Sequence, residues 1–230
     1  MAKPSITDFK SVVLFLNLYL PDVSTVTLQS ALETLFSSMS DKATNKDFAD
    51  GIANAVVAFV STGTVSTTDA GTVTGGVFAG SGTGTITVTA NACSKIIQDA
   101  CSYMLNKTDD KTFDGEAYLA TELGKAFKKM SDDATVITTV SGTLTTPTGA
   151  TSVFAGSAKG SISCNSTALE KNIKDVFSQM WSNREVKGYN GNKKLAEKIA
   201  NEVDSFWKSG IISTNGQGNL VGTTGTGSVS

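Results

Sequence analysis

A glycine-rich stretch that occurs three times constrains the fold of this chain more than any other feature. The copies lie at 77–87, 153–163 and 220–230, and in each the last glycine is followed by Thr or Ser, then Ile or Val, then Thr or Ser. Alternation of polar and apolar residues with period two is typical of a strand with one buried face. The sequence therefore predicts three similar β segments.

Two helical patterns precede each β segment. The first pattern has apolar residues at spacings of three and four and ends in Met in every copy: ALETLFSSM (31–39), IIQDACSYM (96–104) and NIKDVFSQM (172–180). The second pattern repeats one apolar frame over 48–59, 119–130 and 195–206. Gly63 and Gly210 follow this second pattern in the first and third copies, where a glycine in the left-handed conformation commonly ends a helix.

These patterns define a unit of two helices and two strands that is used three times. A first strand is predicted after each helix pair, at 64–67, 136–140 and 211–214, and a glycine-containing loop joins it to the returning β segment. A self-similar period of this size indicates a tandem array or a pseudo-symmetric ring. We therefore predict an α+β fold with repeat units at 25–89, 90–164 and 165–230, preceded by an apolar N-terminal segment at 1–24.

The N-terminal segment contains the apolar run Val12–Leu20. This run is interrupted by Asn17 and is followed by Pro21 and Asp22, whereas a secretion signal would end in small residues. It is also too short to span a bilayer. We interpret it as a buried helix, or a strand, that ends before Pro21.

The glycine-rich hairpins are the candidate assembly elements. An isolated two-stranded hairpin is marginally stable in water, and uncharged strands without proline tend to pair edge to edge. We expect the hairpins to form a shared or intermolecular β-sheet, and the alternative is that the three hairpins satisfy one another within one chain. The candidate assembly residues are the apolar positions of the three segments: Val77, Phe78, Ile86, Val153, Phe154, Ile162, Leu220, Val221 and Val229.

The composition provides no candidate for a catalytic, cofactor or metal site. Histidine is absent, and the three cysteines, Cys93, Cys101 and Cys164, have no C-x-x-C spacing. The net charge of -2 gives no basic footprint for nucleic acid, so we expect no direct nucleic-acid binding. The glycine run 80–84 is followed by a strand, whereas a nucleotide-binding loop opens a helix. We therefore expect a protein that is not an enzyme and that has no cofactor.

The end of the chain resembles a known class of proteins. An Ala-rich helix over 195–206 runs into the strand Ile211–Thr214, and a glycine-rich loop leads to the Gly-Thr-Gly strand at 225–230. This arrangement resembles the ending of small virion proteins of tailed phages and prophages, and residues 48–67 with 82–87 resemble an embedded copy. The resemblance implies a structural component of the virion that is made in the host cytoplasm. It also implies assembly into a homo-oligomer and contacts with other virion proteins. No membrane association is expected.

Within a particle, a position in the tail, baseplate or neck is favoured over capsid decoration. A second hypothesis is a cell-surface or carbohydrate-binding module in which the Thr-rich strands and Trp207 present a binding face. A third hypothesis is an enzyme that acts on a polymer, but the sequence offers no candidate catalytic residues for it.

Overall fold

The computed structural model of the chain describes residues 23–39 and 43–230. The apolar run Val12–Leu20 lies outside the described residues. The helices are α1 (Val23–Ser38), α2 (Asn45–Val60), α3 (Asn91–Leu105), α4 (Gly115–Asp132), α5 (Thr167–Asn183) and α6 (Gly191–Lys208). The strands are β1 (Val65–Val73), β2 (Gly76–Thr87), β3 (Thr135–Thr145), β4 (Thr151–Ser163), β5 (Ile211–Gln217) and β6 (Thr223–Val229).

The helices form a closed ring. Each helix packs against the one before and the one after it in the chain, and α6 packs against α1. The apolar stripes of the six helices face one another, so that residues such as Ile52, Leu123 and Ile199 are fully buried. Antiparallel helix pairs with short connections therefore supply one layer of the molecule.

The strands form a second layer, a closed antiparallel barrel in the order β1-β2-β3-β4-β5-β6. Strand β1 pairs with β6, with Val65 opposite Val229 and Gly71 opposite Thr223, and this pairing closes the barrel. Val65, Ile86, Val136, Ile162 and Ile212 belong to the same buried cluster as the helix ring. The ring therefore covers one end of the barrel with a continuous apolar core.

The α+β class is confirmed, but the expected arrangement of the hairpins is wrong in one respect. The prediction of tandem units whose hairpins form an intermolecular sheet is not met, whereas the alternative, in which the three hairpins satisfy one another within one chain, agrees with the structure. Every strand of the barrel has a hydrogen-bonded neighbour on both sides within the chain. A closed barrel has no edge strand over its full length to offer to another subunit, although residues 151–156 of β4 extend past β5 and pair only with β3.

Glycine allows the strands to approach closely enough to close this barrel. A Cβ on Gly84 would lie 1.9 Å from the carbonyl oxygen of Ile137 on the neighbouring strand. The same 1.9 Å separates a Cβ on Gly160 from the Ser213 oxygen and a Cβ on Gly227 from the Ser66 oxygen. These are the last glycines of the three repeated stretches, so the motif marks the close contacts of the barrel wall.

The two glycines after the second helices have a different role from the predicted one. Neither Gly63 nor Gly210 is among the glycines with positive φ, and the helices α2 and α6 end at right-handed Ser61 and Ser209. A Cβ on Gly210 would lie 2.5 Å from Cδ1 of Ile162 and 2.7 Å from Sγ of Cys164. Gly210 is therefore required by packing between the ring and the barrel.

The third β segment also begins later than predicted. Residues Gly218–Leu220 form a short 3-10 turn, and β6 begins only at Thr223. Leu220 points into the barrel and is fully buried. The hairpin β5-β6 is consequently shorter than the other two.

Substitution of Gly84 by Ala tests the requirement for close approach. The new methyl group would collide with the backbone of β3, so we expect the free energy of unfolding to fall by about 3 kcal/mol or more. Thr85→Ala, an outward-facing neighbour on the same strand, should cost less than about 1 kcal/mol. Urea unfolding followed by circular dichroism measures both, and equal losses in the two variants would contradict the argument.

Candidate functional site

The structure separates the nine predicted assembly residues into two groups. Six have buried or half-buried side chains that belong to the apolar core or pack against it: Phe78, Ile86, Phe154, Ile162, Leu220 and Val229. The other three are strongly exposed, with Val77 at 58%, Val153 at 89% and Val221 at 66% exposure. Only these three can contact a partner without a rearrangement of the core.

The three exposed valines lie at one end of the barrel, which we call the distal rim (Val77, Val153 and Val221). Val77 lies just after the β1-β2 turn, Val153 just after the β3-β4 loop and Val221 between the 3-10 turn and β6. Each helix pair joins the strands at their other ends, so the distal rim faces away from the helix ring. Each of the three hairpins contributes one apolar side chain to it.

The barrel has almost no charge. The segments that build it and its connections are 64–89, 134–166 and 210–230, and their only ionisable residues besides cysteine are Asp69 and Lys159. Asp69 is buried in the barrel and Lys159 is exposed on its outer wall. By contrast, the helices carry many charged side chains, often as i,i+4 pairs such as Lys171 with Asp175. The molecule therefore has a charged helical half and a nearly uncharged barrel half.

A buried polar layer crosses the interior of the barrel. Thr67, Thr138 and Thr214 occupy the same position in β1, β3 and β5, two residues after Val65, Val136 and Ile212. All three threonines are buried, as is Asp69 at 1% exposure. The layer lies between the core shared with the helices and a second apolar cluster near the distal rim, formed by Val73, Phe78, Val140, Leu144, Ala158 and Leu220.

The Asp69 carboxylate is held by two threonine hydroxyls. Thr67 Oγ1 donates to Asp69 Oδ2 at 2.6 Å, and Thr214 Oγ1 donates to Asp69 Oδ1 at 3.1 Å. The third threonine is different, because Thr138 Oγ1 is buried with no hydrogen-bond partner. Sequence reasoning missed Asp69, although its inward position in the alternating strand β1 was a usable signal.

The cysteines do not form a reactive centre. Burial raises the pKa of the Cys93 thiol to about 12 and that of Cys164 to about 11. Burial also raises the pKa of Cys101, which is partly exposed. These thiols therefore stay protonated near neutral pH, where a nucleophilic cysteine would need to ionise.

Residues 23–39 and 43–230 contain no group of three or more His, Cys, Asp or Glu side chains placed to hold a metal ion. In this same part of the chain, no helix combines the length and the apolar character needed to cross a membrane.

The aromatic residue proposed for a carbohydrate face does not reach the surface. Trp207 is 1% exposed and packs edge-on against Phe206 with ring centroids 5.8 Å apart. It lies in α6, close to the junction with the barrel, and belongs to the main core. The hypothesis that Trp207 presents a sugar-binding face is therefore wrong.

Paired threonine variants test the polar layer. Thr214→Val removes a donor from a buried carboxylate, so we expect the free energy of unfolding to fall by about 1–3 kcal/mol. Thr138→Val removes a hydroxyl that has no partner, so stability should be unchanged or raised by up to about 1 kcal/mol. Denaturant unfolding at neutral pH distinguishes them, and a larger loss in Thr138→Val would refute the assignment.

Alkylation of the native protein tests the state of the thiols. The reaction requires a thiolate, so at pH 8 we expect Cys101 to be modified before the more deeply buried Cys93 and Cys164. In denaturant all three should react at similar rates. Peptide mass spectrometry reads the order, and early modification of Cys93 in the native state would be inconsistent with this packing.

Three comparisons were made with known proteins. None of the protein-family models, curated proteins or solved structures matches this chain. Its functional interpretation therefore depends on the distribution of apolar and charged side chains over the two halves of the molecule.

Proposed function

We propose that this protein is a structural, non-enzymatic component of a tailed-phage virion that acts through contacts between subunits. The observation that carries the proposal is the nearly uncharged barrel half with three exposed valines at its distal rim. The resemblance of the chain's closing helix and strands to virion proteins supports the same function. A position in the tail, baseplate or neck of the particle is favoured over a role as a capsid decoration protein.

The charge distribution favours a contact surface on the barrel half. Soluble surfaces usually mix charges of both signs, which are costly to remove from water, and this pattern is present on the helices. The cores of protein interfaces are instead depleted of charged residues. Lys159 is the single exposed charged side chain on the barrel segments, so the barrel shares with interfaces the depletion of charge.

The closed barrel determines how such contacts would form. Strand addition would require an open edge, and β1 and β6 already pair with each other. Subunits would instead meet through side chains at the distal rim. Because each hairpin supplies one valine, the rim suits a partner surface with the same threefold repetition, either a second copy or a neighbouring ring of virion proteins.

A triple variant tests this function. Replacement of Val77, Val153 and Val221 by Lys should leave the protein folded and convert the assembled wild-type protein to a monomer, because three ammonium groups cannot be buried without partners. Size-exclusion chromatography with light scattering measures the mass. A wild-type protein that stays monomeric at high concentration, or a triple variant that assembles unchanged, would rule the proposal out.

A matched control uses the opposite end of the molecule. Leu105 and Val186 are exposed to a similar degree, at 62% and 54%, and lie where the helix pairs turn. The variant Leu105→Lys/Val186→Lys should assemble like the wild type. Loss of assembly in this variant alone would place the contact surface on the helices.

A further inference from the structure

An open apolar groove lies between α1 and α2, next to the junction with the barrel. Its volume is about 620 Å³, and its walls include Thr27, Leu28 and Ala31 from α1 and Ala55, Ala58 and Phe59 from α2. Gly63, Thr64 and Ser230 lie at its base. We call this feature the α1–α2 groove. Small side chains form most of its walls, and none of these wall and base residues has a charged side chain.

The other two helix pairs have larger or polar side chains at the corresponding positions. In the frame of the repeated helices, Ala31 corresponds to Ile96 and Asn172, and Ala58 corresponds to Lys129 and Ser205. Ala55 corresponds to Glu202 in the third pair, where Asn172 donates a hydrogen bond to Glu202 at 2.7 Å. The pair α5-α6 thus fills with Asn172 and Glu202 a place that α1-α2 leaves open, and in α3-α4 the larger Ile96 packs against the core there, although Ala126 matches Ala55.

The segment that leads into the first helix also differs among the three pairs. Val88 and Cys164 lie in short extended links before α3 and α5, and both are buried in the main core. The corresponding residue before the first pair is Val23, whose backbone already belongs to α1. A buried apolar residue therefore precedes the second and the third helix pair. Before the first helix pair, the chain instead continues back into residues 1–22.

We propose that the apolar run Val12–Leu20 packs into the α1–α2 groove of its own chain. Only Pro21 and Asp22 separate this run from Val23, and Ala31 lies about 12 Å along α1 from Val23. Nine residues span about 13 Å as a helix and about 30 Å when extended, so the run reaches the whole groove in either form. Its composition matches the uncharged walls.

This inference is independent of the proposed virion function. Burial of the run against Leu28, Ala31 and Phe59 would remove apolar surface from water on both partners, which is the main favourable term in such packing. It would also complete the first helix pair in the way that Val88 and Cys164 complete the second and third.

Hydrogen exchange of the full-length protein, followed by mass spectrometry, tests the inference. Ala58 is exposed, so Ala58→Glu adds a charge to the groove wall without a clash in the core. We expect the amides of residues 12–20 to be protected in the wild type and to exchange about tenfold faster or more in Ala58→Glu. Ser205→Glu, at the corresponding exposed position of α6, should leave them protected.

Each other outcome overturns the proposal. Unprotected amides at 12–20 in the wild type would show that the run does not pack. Protection that survives Ala58→Glu would place it elsewhere on the molecule. If the protection of residues 12–20 disappears on dilution and the mass of the particle in solution falls with it, the groove is occupied by a second copy of the chain. Circular dichroism confirms that both variants keep their helices.

Discussion

The pairing of β1 with β6 is the interaction on which the rest of the structure depends. These are the first and the last strand of the described residues, and seven residue pairs from Val65 with Val229 to Gly71 with Thr223 join them. Their pairing converts three hairpins into a closed barrel and brings α6 next to α1, so the helices close into a ring of the same order. The glycines of the repeated stretch make it possible, because a side chain at Gly227 would collide with the backbone of β1.

Closure also explains why the interior of the barrel can be polar. At the level of the polar layer, Thr67, Thr138 and Thr214 each have a paired strand on both sides, so the inward side chains have only to satisfy one another. Thr67 and Thr214 do so through the Asp69 carboxylate, whereas the corresponding position in β3 is occupied by Val140. Thr138 therefore has no acceptor. Only β1 has a carboxylate at this position, because Val140 and Gly216 are the corresponding residues of β3 and β5, and this makes the polar layer asymmetric.

Much of the fold was predictable from local patterns. Helical spacing around Ile52 and Ile199, and alternation around Ile86 and Ile162, follow directly from which face each element buries. Barrel closure was not predictable in this way, since it depends on pairing between residues 152 or more positions apart, and the same strands could have paired between subunits. The candidate surface was only partly predictable: period two marks Val77 as outward and Phe78 as inward, but it does not show that the outward valines of three hairpins share one rim.

The two halves of the molecule therefore have different physical roles. In the proposed assembly, the charged helix ring stays in contact with water, while the closed barrel, whose wall has Lys159 as its one exposed charged side chain, contacts a neighbour without exchanging strands. Cryo-electron microscopy of the assembled full-length protein tests this most directly. The account predicts barrels that each take all six strands from one chain and that touch neighbours through Val77, Val153 and Val221. Subunits that exchange β6, or that leave these valines in solvent, would contradict it.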